Sequence, residues 1–174
     1  MPSEPRSPGL IPKSHGNSHR MLLLIGLLGF AAVLPVIWLI NSRAPSPTRL
    51  GTTEGRLAAC PDSPNCVSSQ SDAAYSRIDP LPFTDSPESA HARLQSAIAS
   101  IPRTRLVRKD DDYLHYEFRS LVCRFVDDIE FLVDRSAKVI HVRSASRLGY
   151  SDLGANRKRV ELIRALGSSM VPPR

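Results

Sequence analysis

The chain has 174 residues, with 23 Lys+Arg against 17 Asp+Glu and a formal net charge of +6. Residues 1–59 hold 6 basic and 2 acidic side chains and the remainder 17 and 15, so the excess charge lies in the N-terminal segments. A domain this nearly balanced lacks the basic footprint of a nucleic-acid binder, and no nucleic acid is expected as partner.

Residues 1–20, rich in Pro, Ser, His and Gly, read as a disordered tail. Met21 to Ile40 (MLLLIGLLGFAAVLPVIWLI) contains no charged residue. About 20 apolar residues at ~1.5 Å rise just cross a ~30 Å hydrocarbon core. The run exceeds the ~7–15 residues of a cleavable signal's apolar region, and Arg43 and Pro45 make a poor cleavage context, so an uncleaved single-pass signal anchor is expected. Pro35 is compatible with it, because membrane helices re-satisfy the carbonyl a proline frees. Arg6, Lys13 and Arg20 precede the run and Arg43, Arg49 and Arg56 follow it, so the positive-inside count is a tie.

Residues 41–56 read as a flexible linker and residues 57–174 as the folded domain, large enough for one real core. LAAC at Leu57 to Cys60 imitates a lipidation signal, but Arg49, Glu54 and Arg56 separate it from the apolar run, which excludes that reading. Cys60 and Cys66 bracket a short Pro-containing loop. Five intervening residues favour a disulfide over a two-residue-spaced redox site, and a zinc site would need a second ligand pair; unpaired thiols are the other alternative. A disulfide breaks the orientation tie in favour of an oxidising compartment.

Ser76 to Phe83 is expected to be extended, an edge strand ahead of a helix over Ser86 to Ser100. Ser86 caps that helix, Pro87 opens it, Glu88 complements its dipole, and Ala90, Leu94, Ala97 and Ile98 recur at helical spacing before Pro102. Alternating apolar residues then predict strands at Arg103 to Lys109, Tyr113 to Ser120, Cys123 to Asp134 and Lys138 to Ser146. Asp110 to Asp112 reads as a polar hairpin loop, and Cys123 as a buried free thiol. A last helix over Leu153 to Leu166 is capped by Ser151 or Asp152 and turns Val160, Ile163 and Leu166 inward. The fold class is therefore α+β: a two-layer domain with an antiparallel sheet of four to five strands, two helices on one face, and one transmembrane helix ahead of it.

Three stretches resemble DUF1499, a family of bacterial and plastid domains of unknown function: CPDSPNCVSS (Cys60 to Ser69), FVDDIEF (Phe125 to Phe131) and RSASRLGYSDLGANRKR (Arg143 to Arg159). The resemblance spans Leu57 to Leu166, with the motifs in order. Its matched positions are Cys60, Pro61, Asn65, Cys66, Ser68 and Ser69; Asp127 and Asp128; and Arg143, Ser144, Ser146, Arg147, Gly149, Asp152, Gly154, Asn156 and Arg159. It implies no reaction and transfers no catalytic residue. With the bacterial setting it implies, the expected location is the inner membrane, with the C-terminal domain periplasmic.

Strand parity places Asp127 opposite Ser144 or Ser146 on the helix-covered face, where a carboxylate needs partners among those serines, the amides opening the last helix, and one of Arg147, Arg157 and Arg159. A buried hydrogen-bonded network is the plainer reading of this junction. An anion pocket is the functional one, because helix-start amides and arginine forks complement phosphate or carboxylate. Its candidate ligand-binding residues are Arg143, Ser144, Ser146, Arg147, Asp152, Asn156, Arg157 and Arg159. The same registers put Arg143 across from Asp128 or Glu130 on the other face, and a tight turn at Leu121 and Val122 would bring His115 opposite Asp128. That face is expected to be solvated or partner-covered.

Ser144 and Ser146 point away from His141, which excludes a triad built on that strand. No metal site and no cofactor are expected. Two functions follow: a membrane-tethered binding or scaffolding domain for an anionic small molecule, a lipid headgroup or a protein partner; or a hydrolase or transferase using Asp127 and Asp128 as acid and base on an anionic substrate.

Overall fold

The computed structural model of the protein describes residues 16–169. Helix α1 (Gly16–Ser42) contains the apolar run, with Pro35 inside it. It starts five residues ahead of the expected span, so Gly16 to Arg20 are helical, while the rest of the expected tail lies outside the described residues. His19–Ser42 is 24 residues long and apolar enough to cross a membrane. The chain divides into two compact units, the first ending at Val36 and the second beginning at Ile37.

The second unit is an α+β domain. Its strands are β1 (Thr52–Thr53), β2 (Arg56–Leu57), β3 (Cys66–Ser68), β4 (Leu81–Pro82), β5 (Thr104–Lys109), β6 (Tyr113–Arg119), β7 (Val126–Asp134) and β8 (Val139–Ser146), and its helices are α2 (Pro87–Ala99) and α3 (Ala155–Ser169). β1 and β2 form a small antiparallel ribbon, and the main sheet runs β3-β8-β7-β6-β5 with β4 also on β8. Every ladder is antiparallel. β3 and β4 occupy successive stretches of one edge of β8, Cys66 opposite Ala145 and Leu81 opposite Ile140. β5 forms the other edge, and its register shifts at a bulge between Leu106 and Arg108. The sheet thus has more strands than expected, because β3 and β4 are too short to carry an alternation signal.

Local chemistry sets the helix ends. Ser86 accepts the amide of Ser89 and Pro87 fills the first helical position. Asp152 accepts the amides of Gly154 (2.9 Å) and Asn156 (2.7 Å), with Leu153 and Gly154 in the left-handed region (φ 53° and 78°) turning the chain into α3. One apolar core lies between sheet and helices: Leu94 and Ile98 of α2 and Val160 and Ile163 of α3 pack on Leu114, Tyr116, Ile129, Phe131 and Val142. Leu166 is half-buried.

Three expectations are corrected here. The β6–β7 connection runs from Ser120 to Phe125 rather than turning tightly at Leu121 and Val122, because Arg119 pairs with Val126. Glu117 therefore opposes Asp128, and His115 opposes Glu130. Cys123 lies in this turn, free and half-buried, and not on the apolar face of a strand. Residues 41–56, read as a flexible linker, are hydrogen-bonded to the domain: Ala44 O accepts from Arg147 Nη1 (3.3 Å) and Gly51 N donates to Glu130 Oε1 (2.7 Å), while Leu57 N just beyond them donates to Gln70 Oε1 (2.8 Å).

Candidate functional site

Alternation along β7 and β8 sends neighbouring motif residues to opposite faces of the sheet. On the helix side, Asp127 opposes Ser146. Arg159 from the first turns of α3 donates to Asp127 Oδ2 (2.5 Å) and stacks its guanidinium 4.9 Å above the Phe118 ring. Asn156 is fully buried; its Oδ1 accepts from Ser144 Oγ (2.5 Å) and Arg159 Nη1 (2.9 Å), while its Nδ2 donates to Asn65 O (2.9 Å) and Ser146 Oγ (3.0 Å). These bonds lock β8, α3 and the Cys60–Cys66 loop together. Arg157 turns away to the carbonyls of Tyr75 and Arg77, and Asp152 is spent on its cap. Asp127, Ser144, Ser146, Asn156 and Arg159 thus meet in a mutually satisfied cluster, while Arg143 and Arg147 lie on the other face.

That other face, expected to be solvated or partner-covered, is buried beneath the chain's own residues. His115, Glu117, Asp128, Glu130 and Arg143 are each at most 8% exposed. Arg147 grips Asp128 through Nε and Nη2 (both 2.8 Å) and Glu117 through Nη2 (2.6 Å); His115 Nε2 lies 2.7 Å from Asp128 Oδ1. Arg105 and Arg119 also bind Glu117. Tyr113 donates to Glu130 (2.7 Å), and Arg143 Nη1 donates to its other oxygen (3.1 Å). Burial pushes the Tyr113 hydroxyl up, and Glu130 adds to the shift. Burial would raise Asp128 and Glu117, but hydrogen bonds from Arg147 and His115 to the first, and from Arg105 and Arg147 to the second, hold both below the usual carboxylate range.

One group in this layer is unsatisfied: the Nε–H of Arg143 is buried without a hydrogen-bond partner. Arg143 lines a half-open cleft of about 500 Å³ together with Arg147, Asp128, Arg49, Asn65 and Ser146. Its remaining wall is small and mostly apolar: Pro47, Ala58, Ala59, Cys60, Pro61, Ser63 and Ala145. The Cys60–Cys66 disulfide is formed, with Cα atoms 5.7 Å apart, and braces that wall. Sequence reasoning missed Pro47 and Arg49, since nothing in a linker's composition tells which surface it covers.

Catalytic arrangements are less well supplied. Asp127 and Asp128 point to opposite faces, each in a salt bridge, so they cannot serve as acid and base on one substrate. Ser69 Oγ lies 3.2 Å from His141 Nδ1, and His141 Nε2 lies 3.9 Å from Asp134, a grouping that β8 alone could not reveal. Ser69 is nevertheless a pairing element: its Oγ accepts the amide of Val142 (2.9 Å), its own amide donates to Val142 O (2.9 Å), and 3.9 Å exceeds hydrogen-bond range. Burial lowers the pKa of His141, with Asp134 opposing the shift. Among the described residues, no group of three His, Cys, Asp or Glu side chains is placed to hold a metal.

No curated protein matches the chain. A family model described as "Protein of unknown function (DUF1499)" matches residues 56–166, which contain both networks and all of the cleft except Pro47 and Arg49. With more than half its length matched, the chain belongs to the DUF1499 family.

Proposed function

We propose that the protein is a single-pass, membrane-anchored binding module of the bacterial inner membrane. Its domain faces the periplasm and takes a small phosphate- or carboxylate-bearing ligand in the Arg143–Arg147 cleft. The observation that carries the ligand reading is the orphaned Nε–H of Arg143. An unmade bond at a buried donor costs about 1–3 kcal/mol, more at a charged group, so a ligand oxygen that reaches this N–H recovers that cost. Arg143 and Arg147 are held by Glu130, Glu117 and Asp128, and Arg49, which forms no ion pair among the described residues, is the guanidinium left to meet an anion. The small apolar wall suits a compact ligand body. The disulfide supports an oxidising compartment, and the 24-residue apolar helix supports the anchor.

Thermal-shift measurements on the full chain in detergent, with inorganic phosphate and with citrate, test the cleft. Saturation near a hundred times Kd stabilises by about 2.7 kcal/mol, a shift of several degrees. The shift should vanish in Arg143→Gln and in Ala59→Trp, which fills the cleft from an exposed position and spares the salt bridges. An equal shift in Ala59→Trp places the anion elsewhere, and no shift with either anion refutes the assignment.

A further inference from the structure

The β6–β7 turn carries large apolar side chains that the domain does not cover: Leu121 is 69% exposed, Val122 63% and Phe125 41%. A solvent-facing hairpin loop gains nothing from such residues, and three together form a patch. The two ends of the turn are tied together, Ser120 N donating to Phe125 O and Phe125 N to Ser120 Oγ, both at 2.9 Å. Its Cys123 carbonyl accepts from Nδ2 of Asn41 at 2.8 Å, and Asn41 is itself buried. Asn41 follows directly on the apolar run, which ends at Ile40. The hydrogen bond therefore pins the apolar turn to the residue where the chain leaves its apolar segment.

The surrounding chemistry repeats the pattern. The β8–α3 loop leaves the same end of the sheet, Arg147 N donating to Val126 O (3.0 Å), and exposes Leu148 (37%) and Tyr150 (76%). Arg43 beside Asn41, Arg124 in the turn, and Arg103 next to Arg119 form no ion pair among the described residues. Apolar side chains with an aromatic and unpaired arginines are what the headgroup level of an anionic bilayer accepts.

We infer that the Ser120–Phe125 turn, with Leu148 and Tyr150 beside it, is a lipid-docking surface that seats this end of the sheet in the anionic headgroup layer of the membrane holding α1. The inference rests on the membrane-anchor reading, and the test separates the two. Trp38 is the sole tryptophan of the chain and reports on the anchor. The full chain is reconstituted in vesicles of phosphatidylethanolamine and phosphatidylglycerol, and Trp38 quenching by brominated lipid is measured. A Val122→Cys, Cys123→Ser variant then leaves one free thiol at the tip, where an environment-sensitive fluorophore is attached; Ala137→Cys, Cys123→Ser places the same label in the exposed β7–β8 turn at the far end.

The expected result is Trp38 quenching, blue-shifted emission at position 122 protected from aqueous iodide, and water-like emission at 137. Replacing Leu121 and Phe125 by Asp should restore iodide access at 122 while leaving Trp38 quenched. Water-like emission at 122 with Trp38 quenched overturns the docking surface alone, as does equal shielding at 122 and 137. Absence of Trp38 quenching overturns the anchor, and the docking surface with it.

Discussion

Arg147 is the cation on which the buried polar layer depends, because among the described residues it alone bridges Asp128 and Glu117. Removing one partner of a buried pair strands the other's charge, so Arg147→Ala is expected to destabilise the domain by about 3–5 kcal/mol in denaturant titrations of the full chain. Arg159→Ala should cost less, since its guanidinium is partly solvated. The same layer sets an acid limit. Asp128 and Glu117 are depressed in the folded state, so the unfolded chain takes up these protons at higher pH than the folded one does. Their contribution is complete above the ordinary carboxylate range near ~4 and is lost as pH falls through the lower folded values. Thermal melts should hold level through mild acid and drop below about pH 4, with a weaker acid slope in Arg147→Ala.

Short elements carry the next set of expectations. Ser86→Ala should remove about 1 kcal/mol by uncapping α2. Reducing Cys60–Cys66 should remove about 2 kcal/mol by freeing a short loop in the unfolded chain, and should weaken any anion-induced thermal shift by loosening the cleft wall. At this scale much was legible beforehand: Ser86, Pro87 and Glu88 announce one helix, Ser151 or Asp152 the other, with Asp152 the real cap, and parity limited Asp127 to two partners, of which Ser146 is the real one. The buried far face was not legible, because alternating charges on a strand read equally as solvated or as paired. A signal did exist in Glu117, Asp128 and Glu130 facing His115 and Arg143 with opposite sign at period two, beside a tyrosine. Their cover, Ala44 to Leu57, has no pattern of its own and takes its structure from the side chains beneath it.

For the molecule entire, the proposed anchor and orientation predict that Ala137→Cys, in a Cys123→Ser background, reacts with a membrane-impermeant maleimide in bacterial cells whose outer membrane alone is permeabilised. Labelling only after lysis would place the domain on the cytoplasmic side. Confinement to a membrane surface also carries a hazard for any domain with an open sheet. Copies held in two dimensions at one height and tilt meet edge to edge far more often than in solution, and an unpaired strand edge is a template for the next copy. β5 is such an edge, and its bulge between Leu106 and Arg108 breaks the regular row of amides while Arg105, Arg108 and Lys109 repel a like strand. On the proposed anchor, the irregular, basic outer strand would let this sheet be crowded on a bilayer without growing into its neighbours.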